Sequence, residues 1–153
     1  DTLERYGHGS VRAEELTAEQ FLDLDLGSWF DPAMPTPGML LEELLGRYGA
    51  GARYALEIKG GCPGLGVDTY RMVEAFGLLD RVVFTSFRLA ALREIRLVAR
   101  SARLGWLVQS PSREVVETGA SIGLFQLCPR AGSVSGGSID LLRDRFAEIR
   151  CWG

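Results

Sequence analysis

The run Arg53-Tyr54-Ala55-Leu56-Glu57-Ile58-Lys59 places a carboxylate and an ammonium two residues apart in an otherwise apolar segment. Side chains alternate faces along an extended strand. Tyr54, Leu56 and Ile58 therefore share one face, and Ala55, Glu57 and Lys59 share the other. Gly60-Gly61 ends the run, so both charges fall in its last residues. Burying two charges is costly unless they pair or bind a ligand. The pair suits a metal-dependent phosphate site, with Glu57 as a hard oxygen ligand for Mg²⁺ or Ca²⁺ and Lys59 as a point charge for a phosphate oxygen. The same spacing also fits a plain ion pair on the solvated face of an edge strand.

The other chemistry-bearing residues are more scattered. Gln126 and Trp152 are expected near the C-terminal ends of later strands, where core and rim positions are equally natural. Ser86-Phe87 closes a strand. Asp140 and Asp144 stand four apart on one helix face, an ordinary solvated arrangement. The stretch Gly132-Ser133-Val134-Ser135-Gly136-Gly137 reads as a loop. His8 is the single histidine of the chain and lies between Gly7 and Gly9, as an exposed turn residue would.

A regular alternation of elements must position these residues. Residues 1–38 are irregular, apart from a short helix over 18–24 that Thr17 caps with Gln20 as its capping-box partner. Pro32, Pro35 and Pro37 keep the following chain extended. A second helix is expected over 39–48, ending at Gly49. Strands are then predicted over 53–59, 81–86, 104–108, 122–127 and 148–152. Between them lie helices over 67–76, 89–100, 113–118 (capped by Ser112) and 139–146 (capped by Ser138). Strands alternating with helices imply a parallel sheet with right-handed crossovers. A doubly wound sheet and part of a (β/α)8 barrel both fit. The turn after the first strand, Gly60-Gly61-Cys62-Pro63-Gly64-Leu65-Gly66, lacks the GxGxxG spacing and the phosphate-loop Lys-Ser/Thr, which favours the barrel.

The chain has 153 residues, 46% hydrophobic and 24% charged, as in an ordinary globular domain. Its net charge is −3 and its basic residues are dispersed, so no electrostatic footprint for nucleic acid or an anionic membrane is present. The three cysteines, Cys62, Cys128 and Cys151, form no CxxC pair, which points to a reducing, cytoplasmic setting. No apolar run approaches the ~20 residues of a membrane span. The chain opens without Met and closes within an expected strand, so a fragment of a longer domain is expected.

The order of motifs resembles the glycerophosphodiester phosphodiesterase family over essentially the whole chain. Asp1-Thr2-Leu3-Glu4-Arg5 is similar to the segment after that family's His-Asp motif. Leu24-Asp25-Leu26-Gly27-Ser28-Trp29-Phe30 resembles its Leu-Asp-Ala-Gly-Ser-Trp-Phe, and Glu42-Glu43-Leu44-Leu45 the helix that follows. Pro35-Thr36-Pro37-Gly38-Met39 departs from its Pro-Thr-Leu. Leu56-Glu57-Ile58-Lys59 resembles its Glu-Ile-Lys strand, Val82-Val83-Phe84-Thr85-Ser86-Phe87 its strand ending in Ser-Phe, Leu104-Gly105-Trp106-Leu107 its next strand, and Ile149-Arg150-Cys151-Trp152-Gly153 its late Val-x-x-Trp strand.

The resemblance implies an incomplete (β/α)8 barrel of about five parallel strands. Residues 1–38 would be the segment inserted after the second barrel strand, and 39–153 the central part of the barrel. It implies hydrolysis of a small-molecule glycerophosphodiester to glycerol 3-phosphate and an alcohol, in lipid and glycerol metabolism. Two histidines would serve as acid and base, and carboxylates would hold a divalent cation, Mg²⁺ or Ca²⁺. Glu57 would be one metal ligand, Lys59 a phosphate contact, and Trp152 a residue lining the substrate site. The family's histidine pair and its Glu-x-Asp ligands fall before the point where this chain begins, and His8 matches neither histidine. A barrel-type binding module without the chemistry is the alternative.

Overall fold

The computed structural model describes residues 2–153, so Asp1 of the opening motif lies outside the described residues. Two compact units divide the chain, Asp1–Gly51 and Ala52–Gly153. The division falls after Gly51 rather than after residue 38, so the helix expected to open the barrel part groups with the first unit.

In the first unit, helix α1 spans Ala18–Leu22. Thr17 Oγ1 accepts from Gln20 N at 3.2 Å and Gln20 Oε1 from Thr17 N at 2.9 Å, the reciprocal box read from the sequence. Helix α2 spans Leu41–Tyr48 and starts two residues later than expected, where Leu40 N donates to the Glu43 carboxylate at 3.0 Å. Between them Asp25 organises the loop. Its Oδ1 accepts from the backbone N–H groups of Gly27, Thr36 and Ser28 at 2.9, 3.0 and 3.1 Å. A Cβ on Gly27 would meet Met34 O at 2.1 Å, so only glycine fits at that turn.

The second unit is an alternating β/α array. Its elements are β1 (Tyr54–Glu57), α3 (Leu65–Ala75), β2 (Val82–Ser86), α4 (Leu89–Val98), β3 (Leu104–Val108), α5 (Arg113–Ser121), β4 (Gln126–Pro129), α6 (Gly136–Arg143) and β5 (Glu148–Ile149). The five strands are parallel and lie side by side in chain order. A doubly wound sheet reverses its order at a switch point, whereas a barrel adds each strand beside the last. The unreversed order therefore decides between the two architectures left open by the sequence. The chain is an α/β protein carrying a five-strand section of the barrel fold.

One face of this sheet is the core. Val82, Phe84, Leu104 and Leu127 are buried with Val73, Leu92, Ile95, Val116 and Leu142 of the helices. Each such side chain contributes roughly 1.5–3 kcal/mol of burial. The Tyr70 and Phe84 rings meet at 5.7 Å.

Several boundaries differ from expectation, three of them in the last strands and the helix between them. The fourth strand starts at Gln126 rather than Ile122, because Ile122 and Gly123 finish α5: Gly123 takes φ +65°, and Leu124 N returns to Gly119 O at 3.1 Å. Ser135, not Ser138, is the N-cap of α6, and Ser138 is its reciprocal partner. The last strand is short, but its ladder continues through Arg150 N to Leu127 O at 3.2 Å and Trp152 N to Pro129 O at 3.1 Å.

Candidate functional site

Strand register builds the site. Glu57 pairs with Thr85, Thr85 with Gly105, Gly105 with Gln126, and Gln126 with Glu148. Partners in a parallel ladder point to the same face. One row across the sheet thus carries a carboxylate, a hydroxyl, a gap, an amide and a second carboxylate. The gap is required: a Cβ on Gly105 would sit 2.8 Å from Gln126 Oε1 and 3.0 Å from Thr85 Cγ2. Gln126 is 2% exposed and engaged through both amide atoms, donating to Glu148 Oε2 at 2.9 Å and accepting from Cys128 Sγ at 3.1 Å. It therefore stands at the start of its strand as an organiser of the row, not at the C-terminal end where the sequence reading put it.

Glu57 and Lys59 project from the face opposite the core, as their alternation requires. Lys59 Nζ lies 3.7 Å from Glu57 Oε2, with the side chains 53% and 31% exposed respectively. An ion pair this exposed contributes about 0–1 kcal/mol, so it does not hold the fold together. The backbone beneath it is fixed by β2. Ile58 N donates to Thr85 O at 2.7 Å, and Ser86 Oγ donates to Ile58 O at 2.7 Å. Arg88 Nη1 donates to Gly60 O at 2.5 Å. The Ser86 hydroxyl also accepts from Arg88 N at 3.0 Å, so this strand-ending serine locks the segment that carries Lys59.

Trp152 is held on three sides. Its backbone joins β4, its Nε1 donates to Val108 O at 3.1 Å, and its ring meets Phe87 edge-on at 4.9 Å. With Glu57, Thr85, Gln126, Cys128 and Arg150 it lines a concavity of about 300 Å³. The structure thus brings Glu57 and Trp152 to one hollow, with Lys59 paired to Glu57 at its edge. Burial pushes the Cys128 thiol up to about 12, against a smaller opposing pull from Arg150, so Cys128 is a neutral wall and not a nucleophile. The sequence reading missed Arg150, although its alternation with Trp152 on one face was available as a signal.

The remaining candidates lie elsewhere. His8 Nε2 is hydrogen-bonded to Asp25 O at 2.8 Å in the first unit. Asp140 and Asp144 are exposed on α6 and at its C-terminal end. The glycine-rich stretch forms a short 3-10 turn at Ala131–Ser133 and then the first turn of α6.

Glu57 offers one hard oxygen donor, and its carboxylate is paired with Lys59. Among the described residues no cluster of three or more His, Cys, Asp or Glu could hold a metal ion. These residues do not by themselves fit a divalent cation. No helix of the described residues is long and apolar enough to cross a membrane.

No family model matches the chain, and no curated protein matches it. Solved structures do. A Galdieria sulphuraria protein provisionally named a glycerophosphodiester phosphodiesterase shares the fold with a TM-score of 0.82 at 20% identity, over 99% of this chain and 62% of its own. A glycerophosphodiester phosphodiesterase from Agrobacterium tumefaciens gives 0.76 at 20% identity, over 99% of this chain and 65% of its own. An Oleispira antarctica phosphodiesterase, solved with its product sn-glycerol-3-phosphate, gives 0.72 at 19% identity, over 100% of this chain and 64% of its own. The fold is that of the glycerophosphodiester phosphodiesterase structures, in agreement with the motif resemblance. The chain spans 62% to 65% of the length of these three.

Proposed function

We propose that the chain carries the phosphate-binding wall of a glycerophosphodiester phosphodiesterase. The reaction adds water across the P–O bond to the alcohol and yields glycerol 3-phosphate and that alcohol. The observation that carries this reading is the Glu57–Lys59 pair at the C-terminal end of a barrel strand, on the edge of a hollow that Trp152 also lines. Barrel active sites occur at that end of the strands. The product bound to the Oleispira phosphodiesterase supports the substrate class. Lys59 donates to a phosphate oxygen, and the Trp152 ring packs against the glycerol carbons. The role of Glu57 as a ligand to Mg²⁺ or Ca²⁺ is a proposal that rests on the resemblance, since it requires donors besides Glu57.

General acid–base cleavage of a diester needs one group to activate water and another to protonate the leaving alkoxide. The one histidine of the chain, His8, is engaged with the Asp25 carbonyl. The 153-residue chain is therefore expected to bind the product without hydrolysing the diester. The test is calorimetric titration of the chain with sn-glycerol 3-phosphate, beside an assay of glycerophosphodiester hydrolysis with Mg²⁺, Ca²⁺ or Mn²⁺. Binding that Lys59→Gln weakens at least ~10-fold, as expected for a lost charged hydrogen bond, supports the reading. Binding indifferent to Lys59→Gln contradicts it, and turnover abolished by Glu57→Ala would show that this chain alone suffices for catalysis.

A further inference from the structure

Arg150 lines the 300 Å³ hollow opposite Glu57, on the face it shares with Trp152. The neighbouring charges are already engaged. Glu57 faces Lys59 at 3.7 Å, and Glu148, two residues before Arg150 on the same face, accepts from Gln126 at 2.9 Å. Cys128 beside it is a buried, neutral thiol. Among the described residues the Arg150 guanidinium has no hydrogen-bond or ion-pair partner. Counting Glu57, Glu148, Lys59 and Arg150, the hollow and the residues beside it carry two cations and two carboxylates, and of the two cations Lys59 is the one that faces a carboxylate within ion-pair distance. A planar guanidinium on such a wall matches the oxygens of a phosphate or carboxylate.

Position separates this cation from Lys59. Strands β1 and β5 are the two edges of the five-strand sheet. Four strand intervals of about 4.8 Å part them along its arc. A phosphate held by Lys59 leaves Arg150 facing whatever extends across the hollow.

We propose that Arg150 is a specificity-determining residue that receives a second anionic group, carried on the alcohol side of a phosphodiester held at Lys59. This rests on the reading of Lys59 given above. The preferred ligands are diesters whose alcohol bears a phosphate.

The test compares two ligands by calorimetry with the 153-residue chain in Mg²⁺ buffer: glycerophosphoglycerol, and the same diester phosphorylated at its terminal hydroxyl. Wild type is expected to bind the phosphorylated ligand at least ~10-fold more tightly, the value of one charge-assisted contact. Arg150→Gln is expected to erase that preference, and Arg150→Lys to restore part of it, with circular dichroism verifying both folds. Equal weakening of the two ligands by Arg150→Gln would overturn the proposal, because Arg150 would then serve the shared diester phosphate. Absence of the preference in wild type would also overturn it. Lys59→Gln reports on the prior reading separately: it should weaken both ligands alike. A preference that survives while Lys59→Gln changes nothing would sink the Lys59 reading and, with it, the placement of the second group relative to Lys59.

Discussion

Asp25 and Glu57 are both carboxylates within family-like motifs, and the structure uses them in opposite ways. Asp25 is consumed locally. The Ser28 hydroxyl, then the N–H groups of Gly27, Thr36 and Ser28, hold its carboxyl well below the usual carboxylate range. Every donor around it belongs to the loop it shapes, so its chemistry is spent on architecture. Glu57 instead faces one cation, Lys59, across 3.7 Å in a partly exposed setting. Its bonding capacity remains available to a ligand. A carboxylate ringed by its own backbone is a structural device, whereas one held on a rigid strand with capacity left over is a candidate for binding.

The largest effect is expected at Lys59, the cation that Glu57 faces. Lys59→Met is expected to weaken binding of sn-glycerol 3-phosphate by the chain at least ~10-fold in calorimetry, as for a lost charged hydrogen bond. Unchanged binding would make Lys59 only the structural partner of Glu57. Gly105→Val should come next. Its Cβ would press on Gln126 and Thr85 and shift the row that carries Glu57, costing about 1–3 kcal/mol of stability in denaturant melts. An unchanged midpoint would show that the row tolerates a side chain there.

Asp25 should respond to acid. Its folded pKa is depressed, so its stabilisation is complete above the unfolded value of about 4 and is lost as pH falls below it. Asp25→Asn should flatten the acid limb of a stability-versus-pH curve. Glu57→Gln should move stability at neutral pH by no more than ~0.5 kcal/mol. Equal effects from the two variants would erase the distinction. The smallest effect concerns thiols: Cys62 and Cys151 are exposed and should alkylate in the native state, while buried Cys128 should not.

Much of this was legible in the residues. Alternation along 53–59 placed Glu57 and Lys59 on one face, and the reciprocal Thr17–Gln20 box and the limits of β3 were read correctly. The misplaced start of β4 has a local cause. Leu124 and Phe125 are apolar like a strand, but Gly123 at positive φ makes them the return from a helix end. Ser135 and Ser138 are three apart and both competent caps, and only the backbone shows which one precedes the first turn. Strand order and the ties that leave Arg150 unpaired are long-range, from Glu57↔Thr85 to Gln126–Glu148, and no local pattern encodes them.

The inner face of the β/α array, and not the Asp25 loop, is expected to receive a phosphate. Amide chemical-shift mapping of the 153-residue chain with sn-glycerol 3-phosphate tests it directly. The expected result is saturable shifts at Glu57, Lys59 and Trp152, with residues 25–36 unmoved and the response lost in Lys59→Gln. Shifts confined to the Asp25 loop, or unchanged by Lys59→Gln, would contradict it.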